Sequence, residues 1–467
     1  MTTATDDALP SADELRAALR RELGDVVSVD PAILRAAQGD RSGHVSSAPP
    51  IAVVEARSTA DVQSALRIAT AHRIPVVPRG AGTGLAGAAQ AGAGELVVST
   101  AGMTRVLEIS RDDELAVVEP GVINADLNAR LAEQGMFWAP DPASRAISTV
   151  GGNIATNAGG LHCVKYGVTR EAVLALEVVL ADGRVIRTGH RTVKGVTGYD
   201  LTALMIGSEG TLGIVTEATL RLRPLPRGVP VTISAAFDTV EQAARAASVM
   251  VASGIRPAIL ELLDATALEG LGAHLGVDLG GRGAQLLVQT DGEGAEREAA
   301  DAEAVIRSLA GRPERSRDAA EAERLFEIRR AFHASNVARG AVLIEDVAVP
   351  RSALPAMFAA IERVQEKYGI LIPTVAHAGD GNLHPNFVFD ADTVDGFVDV
   401  PEHVWAAADE LFRDCLRLGG TLTGEHGVGI LKRRWLCDEL GDDVIGLQRR
   451  LKQVFDPLDI MNPGKAI

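Results

Sequence analysis

Two histidines and a glutamate–histidine pair carry the clearest chemical signal in the chain. His377 and His384 bracket the run His377-Ala378-Gly379-Asp380-Gly381-Asn382-Leu383-His384, seven positions apart. In an unbroken strand an odd separation puts two side chains on opposite faces. Asp380-Gly381-Asn382 is turn chemistry, so the segment is expected to fold back and bring the imidazoles together. After the turn, His384, Asn386 and Val388 share one strand face, with Pro385, Phe387 and Phe389 on the other. Glu425 and His426 lie in Gly424-Glu425-His426-Gly427-Val428-Gly429, where glycines leave both side chains uncrowded. Two imidazoles and a carboxylate make a three-ligand set for a divalent metal such as zinc or manganese. Its open positions are what a catalytic ion needs. The competing reading is polar histidines satisfied inside a core, and the paired spacing with flanking glycines tells against it. His44, His72, His162, His190, His274, His333 and His403 have no such context and are given no ligand role.

Three glycine-rich runs form the second signal. Pro78-Arg79-Gly80-Ala81-Gly82-Thr83-Gly84-Leu85-Ala86-Gly87 follows a short apolar run, and its small residues let backbone N–H groups cradle an anion. Gly82, Gly84 and Gly87 fit the dinucleotide fingerprint. However, Ala91-Gly92-Ala93-Gly94 follows where a helix should, and no acidic residue stands where a ribose partner is needed. A Walker loop is excluded by the absence of Gly-Lys-Ser/Thr. The second run, Gly151-Gly152-Asn153-Ile154-Ala155-Thr156-Asn157-Ala158-Gly159-Gly160, reads as a loop that lets backbone approach a flat ligand. The third, Gly207-Ser208-Glu209-Gly210-Thr211-Leu212-Gly213-Ile214, leads into a strand. One such run could be a tight structural turn; three in one block are harder to explain that way.

These motifs need a scaffold, and the pattern outlines one. Ser11 to Glu14 reads as a capping box, with Leu15, Leu19 and Leu23 on one helical face. Ile51–Val54 and Ile74–Val77 read as strands flanking a helix at 61–72, with further strands at 174–180 and 214–222. Arg223-Pro224-Leu225-Pro226 breaks regular structure, so a boundary is placed near residue 226. Beyond it, strands at 231–237 and 285–289 alternate with helices at 241–252, 294–309 and 319–334. The expected division is an N-terminal helical segment (1–45), a glycine-loop domain (46–226), an α+β domain (227–420) and a helical C-terminal segment (421–467) carrying the Glu-His pair.

Composition bounds the function. The chain has 467 residues, 46% hydrophobic and 23% charged, as a folded multidomain protein would have. Its net charge of −16 repels phosphate backbones, so no nucleic-acid partner is expected. The start Met1-Thr2-Thr3-Ala4-Thr5-Asp6-Asp7 does not resemble a secretory signal, and no run is long and apolar enough to span a bilayer. Cys163, Cys415 and Cys437 are scattered, and three isolated thiols cannot hold a four-cysteine iron–sulfur cluster. They read as reduced thiols of a cytoplasmic protein.

From Ser46 to Leu225 the three glycine runs, in this order, resemble the FAD-binding domain of the vanillyl-alcohol-oxidase superfamily. The fold class implied is α+β: a two-part FAD-binding domain, an α+β substrate or cap domain and a helical C-terminal segment. The resemblance implies that Arg79, Gly80, Ala81, Gly82, Thr83, Gly84 and Leu85 meet the FAD pyrophosphate through backbone amides. Pro140 and Ser144, around Asp141-Pro142-Ala143-Ser144, would lie beside the same group. Gly151, Gly152, Asn153, Ala155, Asn157 and Gly160 would line the isoalloxazine and ribityl region, and Glu209, Gly210 and Ile214 the inner face of the cofactor. Thr83 stands where some relatives carry a flavin-linked histidine, which implies non-covalent FAD.

The His-Ala-Gly-Asp-Gly-Asn-Leu-His and Gly-Glu-His-Gly-Val-Gly motifs resemble the C-terminal domain of FAD-linked D-2-hydroxyacid dehydrogenases. That group includes D-lactate, D-2-hydroxyglutarate and glycolate-oxidising types. By that resemblance His377, His384 and Glu425 hold the metal and His426 is the base. Asn386 contacts substrate or a metal-bound water, and Arg329 pairs with the substrate carboxylate. The residues alone leave Arg329 equally readable as a solvated helix charge. Ile344 departs from the hydroxyglutarate enzymes, which carry a lysine there, and this implies a smaller or more apolar substrate. The activity implied is oxidation of a small D-2-hydroxy acid, of D-lactate or glycolate type, to the 2-oxo acid. Electrons would leave to a quinone, an electron-transfer flavoprotein or an iron–sulfur subunit, and through that acceptor the protein could sit peripherally at the membrane. The group admits a homodimer. Two alternatives stay open: the FAD subunit of a multi-subunit glycolate oxidase, and a non-redox ether-lipid-type synthase sharing the FAD domain.

Overall fold

The computed structural model describes residues 11–279, 281–391, 393–394, 397–398 and 400–467. Two sheets carry the glycine runs. In the first, Ala52–Glu55, Leu96–Ser99 and Val76–Arg79 lie parallel in that order, with Val27–Ser28 antiparallel on the outer edge. Ala52, Val53, Val54, Leu96, Val97 and Val98 are all buried, as continuous apolar runs in a parallel sheet should be. The crossover helix Thr59–His72 begins where the Ser58 hydroxyl accepts from Asp61 N–H, and it buries Val62, Ala65, Leu66 and Ala69. The second sheet is antiparallel, ordered Val106–Ser110, Leu115–Val118, Ile214–Arg221, Val173–Val179, Val185–Gly189. Ile214–Arg221 is its central strand, so the third glycine run feeds straight into the middle of the sheet.

The second glycine run differs from the expected open loop. Val150–Thr156 is helical, N-capped by Thr149, whose hydroxyl accepts from Gly152 N–H, and it ends at Asn157 with φ 51°. Two glycines cost roughly 1 kcal/mol each in a helix. Val150 and Ile154, both fully buried, offset that by anchoring one face. The glycines also meet a packing need: a Cβ on Gly151 would lie 2.5 Å from Pro120 Cβ.

A third sheet carries the histidines, ordered Arg312–Arg315, Val231–Phe237, Ala284–Thr290, Ile259–Asp264, Thr374–His377, Asn382–Phe389, Ala341–Ile344. Val347–Ala348 also pairs with Asn382–Phe389. One face is covered by helices Val240–Ala252, Leu354–Tyr368 and Glu402–Arg417, which share a core with Leu260, Leu262, Ala376, Leu383 and Phe387. Each large apolar side chain buried there contributes about 1.5–3 kcal/mol. Strand alternation then turns Glu261, His377, His384 and Asn386 to the opposite face.

The expected helix over 319–334 is two helices, Ala319–Arg330 and Phe332–Val337, and Arg329 lies in the last turn of the first. The expected C-terminal helical segment divides. Glu425 and His426 lie in an irregular stretch before helix Leu436–Phe455, which is interrupted at Gly441. The tail then returns to the first sheet, where Val76 N donates to Ile460 O and Asn462 N to Val76 O, both at 2.7 Å. Among the described residues no helix is long and apolar enough to cross a membrane.

Candidate active site

A cleft of about 860 Å³ lies between the glycine runs and the third sheet. That is within the roughly 300–1,000 Å³ typical of cofactor and ligand pockets. Its wall on one side is Arg79 to Leu85, Ser144, Gly151, Gly152, Asn153, Ala155, Gly160, Glu209, Gly210 and Ile214. The other side is Arg329, Ile344, His377, His384, Asn386, Glu425 and His426. Pro140 and Asn157 are not among the lining residues. The Pro140 carbonyl accepts from Asn124 Nδ2, and the Asn157 side chain accepts from Arg170 N–H while its backbone closes a helix. Both shape the wall from behind.

The glycine side presents backbone to the cleft. The Arg79 guanidinium donates to Ala89 O at 2.6 Å and Ala36 O at 3.1 Å, so its side chain braces the loop. Small residues with exposed backbone fit a flat, phosphate-bearing cofactor such as FAD. Glu209 is braced differently from expectation. Its backbone sits at φ 50°, and its carboxylate accepts from Val428 N at 2.8 Å and Gly429 N at 2.9 Å. It thereby ties the glycine side to the loop bearing Glu425 and His426. Burial raises its pKa to about 7, against the opposing effect of those two N–H groups. The Asp40–Gly43 stretch also lines the cleft: Asp40, Arg41 and Gly43 face it, and Arg41 N donates to Gly84 O at 2.9 Å. The 1–45 segment was not expected to reach the site.

On the histidine side the hairpin forms as its turn residues require. Thr374–His377 and Asn382–Phe389 pair with His377 opposite Asn382, and the two imidazole centroids are 5.0 Å apart. Glu425 Oε1 stands 3.4 Å from His377 Nε2 and 3.2 Å from His384 Nε2. His426 stacks on His384 at 5.1 Å and 15°, with its Nε2 3.8 Å from the same Glu425 oxygen. Two imidazole nitrogens and a carboxylate oxygen therefore converge, and all lie within 4.8 Å of one another. That donor chemistry fits a divalent ion. Asn386 Oδ1 is buried beside them with no hydrogen-bond partner. Such a group is costly to leave unpaired, which fits an acceptor awaiting a ligand.

Charge is finely divided here. Burial would lower His377, but Glu261 and Glu425 hold its pKa well above the ordinary histidine range. Burial would raise Glu425, but His377 and His384 bring it well below the ordinary carboxylate range. His426 is pushed down to about 4, first by burial and then by His384, with Asp346 and Glu425 opposing. It is therefore neutral near pH 7.

Two carboxylates beneath these side chains were not singled out in the sequence. Asp346, fully buried, accepts through Oδ2 from Thr423 Oγ1 at 2.7 Å, Gly424 N at 2.8 Å, and Glu425 N and His426 N at 3.0 Å. Its Oδ1 accepts from Asn382 Nδ2 at 2.6 Å and lies 3.8 Å from His384 Nδ1. Glu261 accepts from His377 Nδ1 at 2.5 Å and from Arg329 Nε at 2.8 Å. Each is an acidic residue inside or just after an apolar strand run, and that is the signal that marks them. His333 also lines the cleft, although it was given no role.

Comparison with known proteins identifies the family. Residues 50–189 match a FAD binding domain, and residues 228–466 match the C-terminal domain of FAD linked oxidases. The chain is 43% identical over 422 residues to glycolate oxidase subunit GlcD of Bacillus subtilis (strain 168), over 89% of this chain and 88% of that one. It is 35% identical over 431 residues to the mitochondrial D-lactate dehydrogenase (cytochrome) of Arabidopsis thaliana, over 90% of this chain and 73% of that one. The solved structure of p-cresol methylhydroxylase with substrate bound matches with TM-score 0.78 at 19% identity, over 97% of this chain and 96% of that one. That likeness shows the fold.

Proposed function

We propose a function from this premise: the chain belongs to the FAD-linked oxidase family and is a FAD-linked oxidoreductase. Its reaction is oxidation of a small D-2-hydroxy acid, of D-lactate or glycolate type, to the 2-oxo acid. The observation that carries this reading is one cleft lined on one side by the glycine runs and on the other by His377, His384, Glu425, His426, Asn386 and Arg329.

Bound FAD supplies the acceptor for the substrate's α-hydrogen, and a divalent ion at His377, His384 and Glu425 supplies positive charge that acidifies the α-hydroxyl. The chain's residues do the rest. Arg329 takes the substrate carboxylate, for which a guanidinium fork is well matched. Asn386 Oδ1 orients the hydroxyl end. His426, neutral near pH 7, takes the hydroxyl proton at Nε2, and the carboxylates of Glu425 and Asp346 beside it stabilise the cation that results. Ile344, together with Phe332 and Val375, makes an apolar stretch of wall that suits a short side chain and offers nothing to a second carboxylate.

The electrons then leave to a quinone, an electron-transfer flavoprotein or an iron–sulfur subunit. The GlcD relative is itself named as a subunit, which favours a partner polypeptide for this chain too. The test is an anaerobic titration of the yellow holoprotein with D-lactate, L-lactate, glycolate and D-2-hydroxyglutarate, with and without a chelator. Bleaching of the flavin by D-lactate or glycolate, lost on chelation, is expected. A bound flavin that none of them bleaches would overturn the reading of a self-sufficient dehydrogenase and favour either a subunit that needs its partner or the non-redox synthase.

A further inference from the structure

Glu261 takes no part in the chemistry proposed above, yet it touches both of its halves. It stands mid-strand in Ile259–Asp264, buried along its whole length, and is itself 0% exposed. An ionised carboxylate there is tolerable only when paired and hydrogen-bonded. Both oxygens are: Oε1 takes His377 Nδ1 at 2.5 Å and Oε2 takes Arg329 Nε at 2.8 Å. Cross-strand register sets Glu261 directly opposite His377, while Arg329 reaches in from the end of helix Ala319–Arg330.

We propose that Glu261 is a positioning residue that joins the guanidinium awaiting the substrate carboxylate to the imidazole awaiting the metal, so that both are presented at one fixed spacing. The proposal rests on the reading of Arg329 and His377 given above. A 2-hydroxy acid carries its carboxylate and hydroxyl on adjacent carbons, so the two groups that receive them must keep a set separation. One carboxylate bonded to both is a short and stiff way to hold it. Accepting from His377 Nδ1–H holds that proton in place, so the proton a metal would displace is the one on Nε2, the atom 3.4 Å from Glu425. Holding Arg329 through Nε leaves both terminal nitrogens for a bidentate partner.

Glu261→Gln keeps the shape and breaks the device. The amide has one acceptor oxygen and cannot accept at both ends, where His377 and Arg329 stand. Its NH₂ can face His377 only if that ring moves its proton to Nε2, which blocks the ligand atom. Wild type, E261Q and E261D would be compared as FAD-loaded proteins. Chelator-competition titrations with Zn²⁺ or Mn²⁺ alone read metal affinity, and glycolate and D-lactate kinetics read KM and kcat. E261Q should retain FAD, bind metal roughly 10–100-fold more weakly, and raise KM. In an R329K background E261Q should cost less of kcat/KM than it does in wild type. E261D keeps the charge but is one carbon short of spanning both partners, so it should show the same KM rise, and it serves if E261Q fails to fold. Metal affinity within twofold of wild type in folded E261Q overturns the proposal, as do an unchanged KM in folded E261D and E261Q and R329K losses that simply multiply. A wild-type protein that takes up neither metal overturns the metal reading and this coupling together. It is told apart because the failure shows before any variant is compared.

Discussion

Asp346→Asn puts the geometry of the Glu-His loop to a direct test. One oxygen of Asp346 accepts from Thr423 Oγ1 and from three successive backbone N–H groups, those of Gly424, Glu425 and His426. The other accepts from Asn382 Nδ2. Hydrogen bonds to a charged group are worth about 1.5–3 kcal/mol, against about 1 kcal/mol for neutral pairs. At about 0.5–2 kcal/mol per bond, the isosteric amide therefore loses roughly 1.5–6 kcal/mol of loop anchoring over three backbone bonds. The amide also has a single acceptor oxygen for donors on both sides. If that loss falls on the arrangement in which Glu425 and His426 work, flavin reduction slows by at least about tenfold. The assay is anaerobic stopped-flow reduction of the flavin by the preferred 2-hydroxy acid, alongside FAD content and a thermal melt. FAD should stay bound, because the glycine runs contribute none of these bonds. A reduction rate within threefold of wild type, with FAD content unchanged, would refute the view that Asp346 seats the catalytic loop.

Two further outcomes are expected. His426→Ala should keep FAD and lose reduction of the flavin by substrate, and reduction at the wild-type rate would remove His426 from its role as base. Glu209 gives a pH dependence whose sign is set by its raised pKa of about 7, with Lys432 and Asp40 the nearby charges that lower and raise it. A carboxyl raised in the folded state lends stability that is fully present below its unfolded value and is lost as pH rises through 7. The loss is about 3 kcal/mol between pH 4.5 and 8. Thermal melts of the holoprotein should therefore fall more steeply with pH in wild type than in Glu209→Gln, and parallel profiles would show that Glu209 does not titrate in that window.

How much of this was legible in the sequence follows from the range of the interactions involved. The histidine hairpin was readable because its cause is local: turn residues at 380–382 between two histidines of odd spacing. The Glu-His loop was readable for the same reason, through its flanking glycines. The segment at 151–160 was misread as open loop because glycine disfavours helix, although Thr149 as N-cap and Asn157 as terminator were local signs of one. The partners of the orienting shell were not readable. Glu261 finds its partners 68 and 116 positions away, and Asp346 finds its loop 77 to 80 positions away. In a sequence, an acid set in an apolar strand run shows its burial but not which groups it will bond. The same holds for the tail at Ile460–Asn462, whose pairing with Val76 spans nearly the whole chain. The histidine hairpin and the Glu-His loop are thus set by short-range pattern. The carboxylates that aim them are set by tertiary packing, so these are the positions where substitutions that look conservative should cost most.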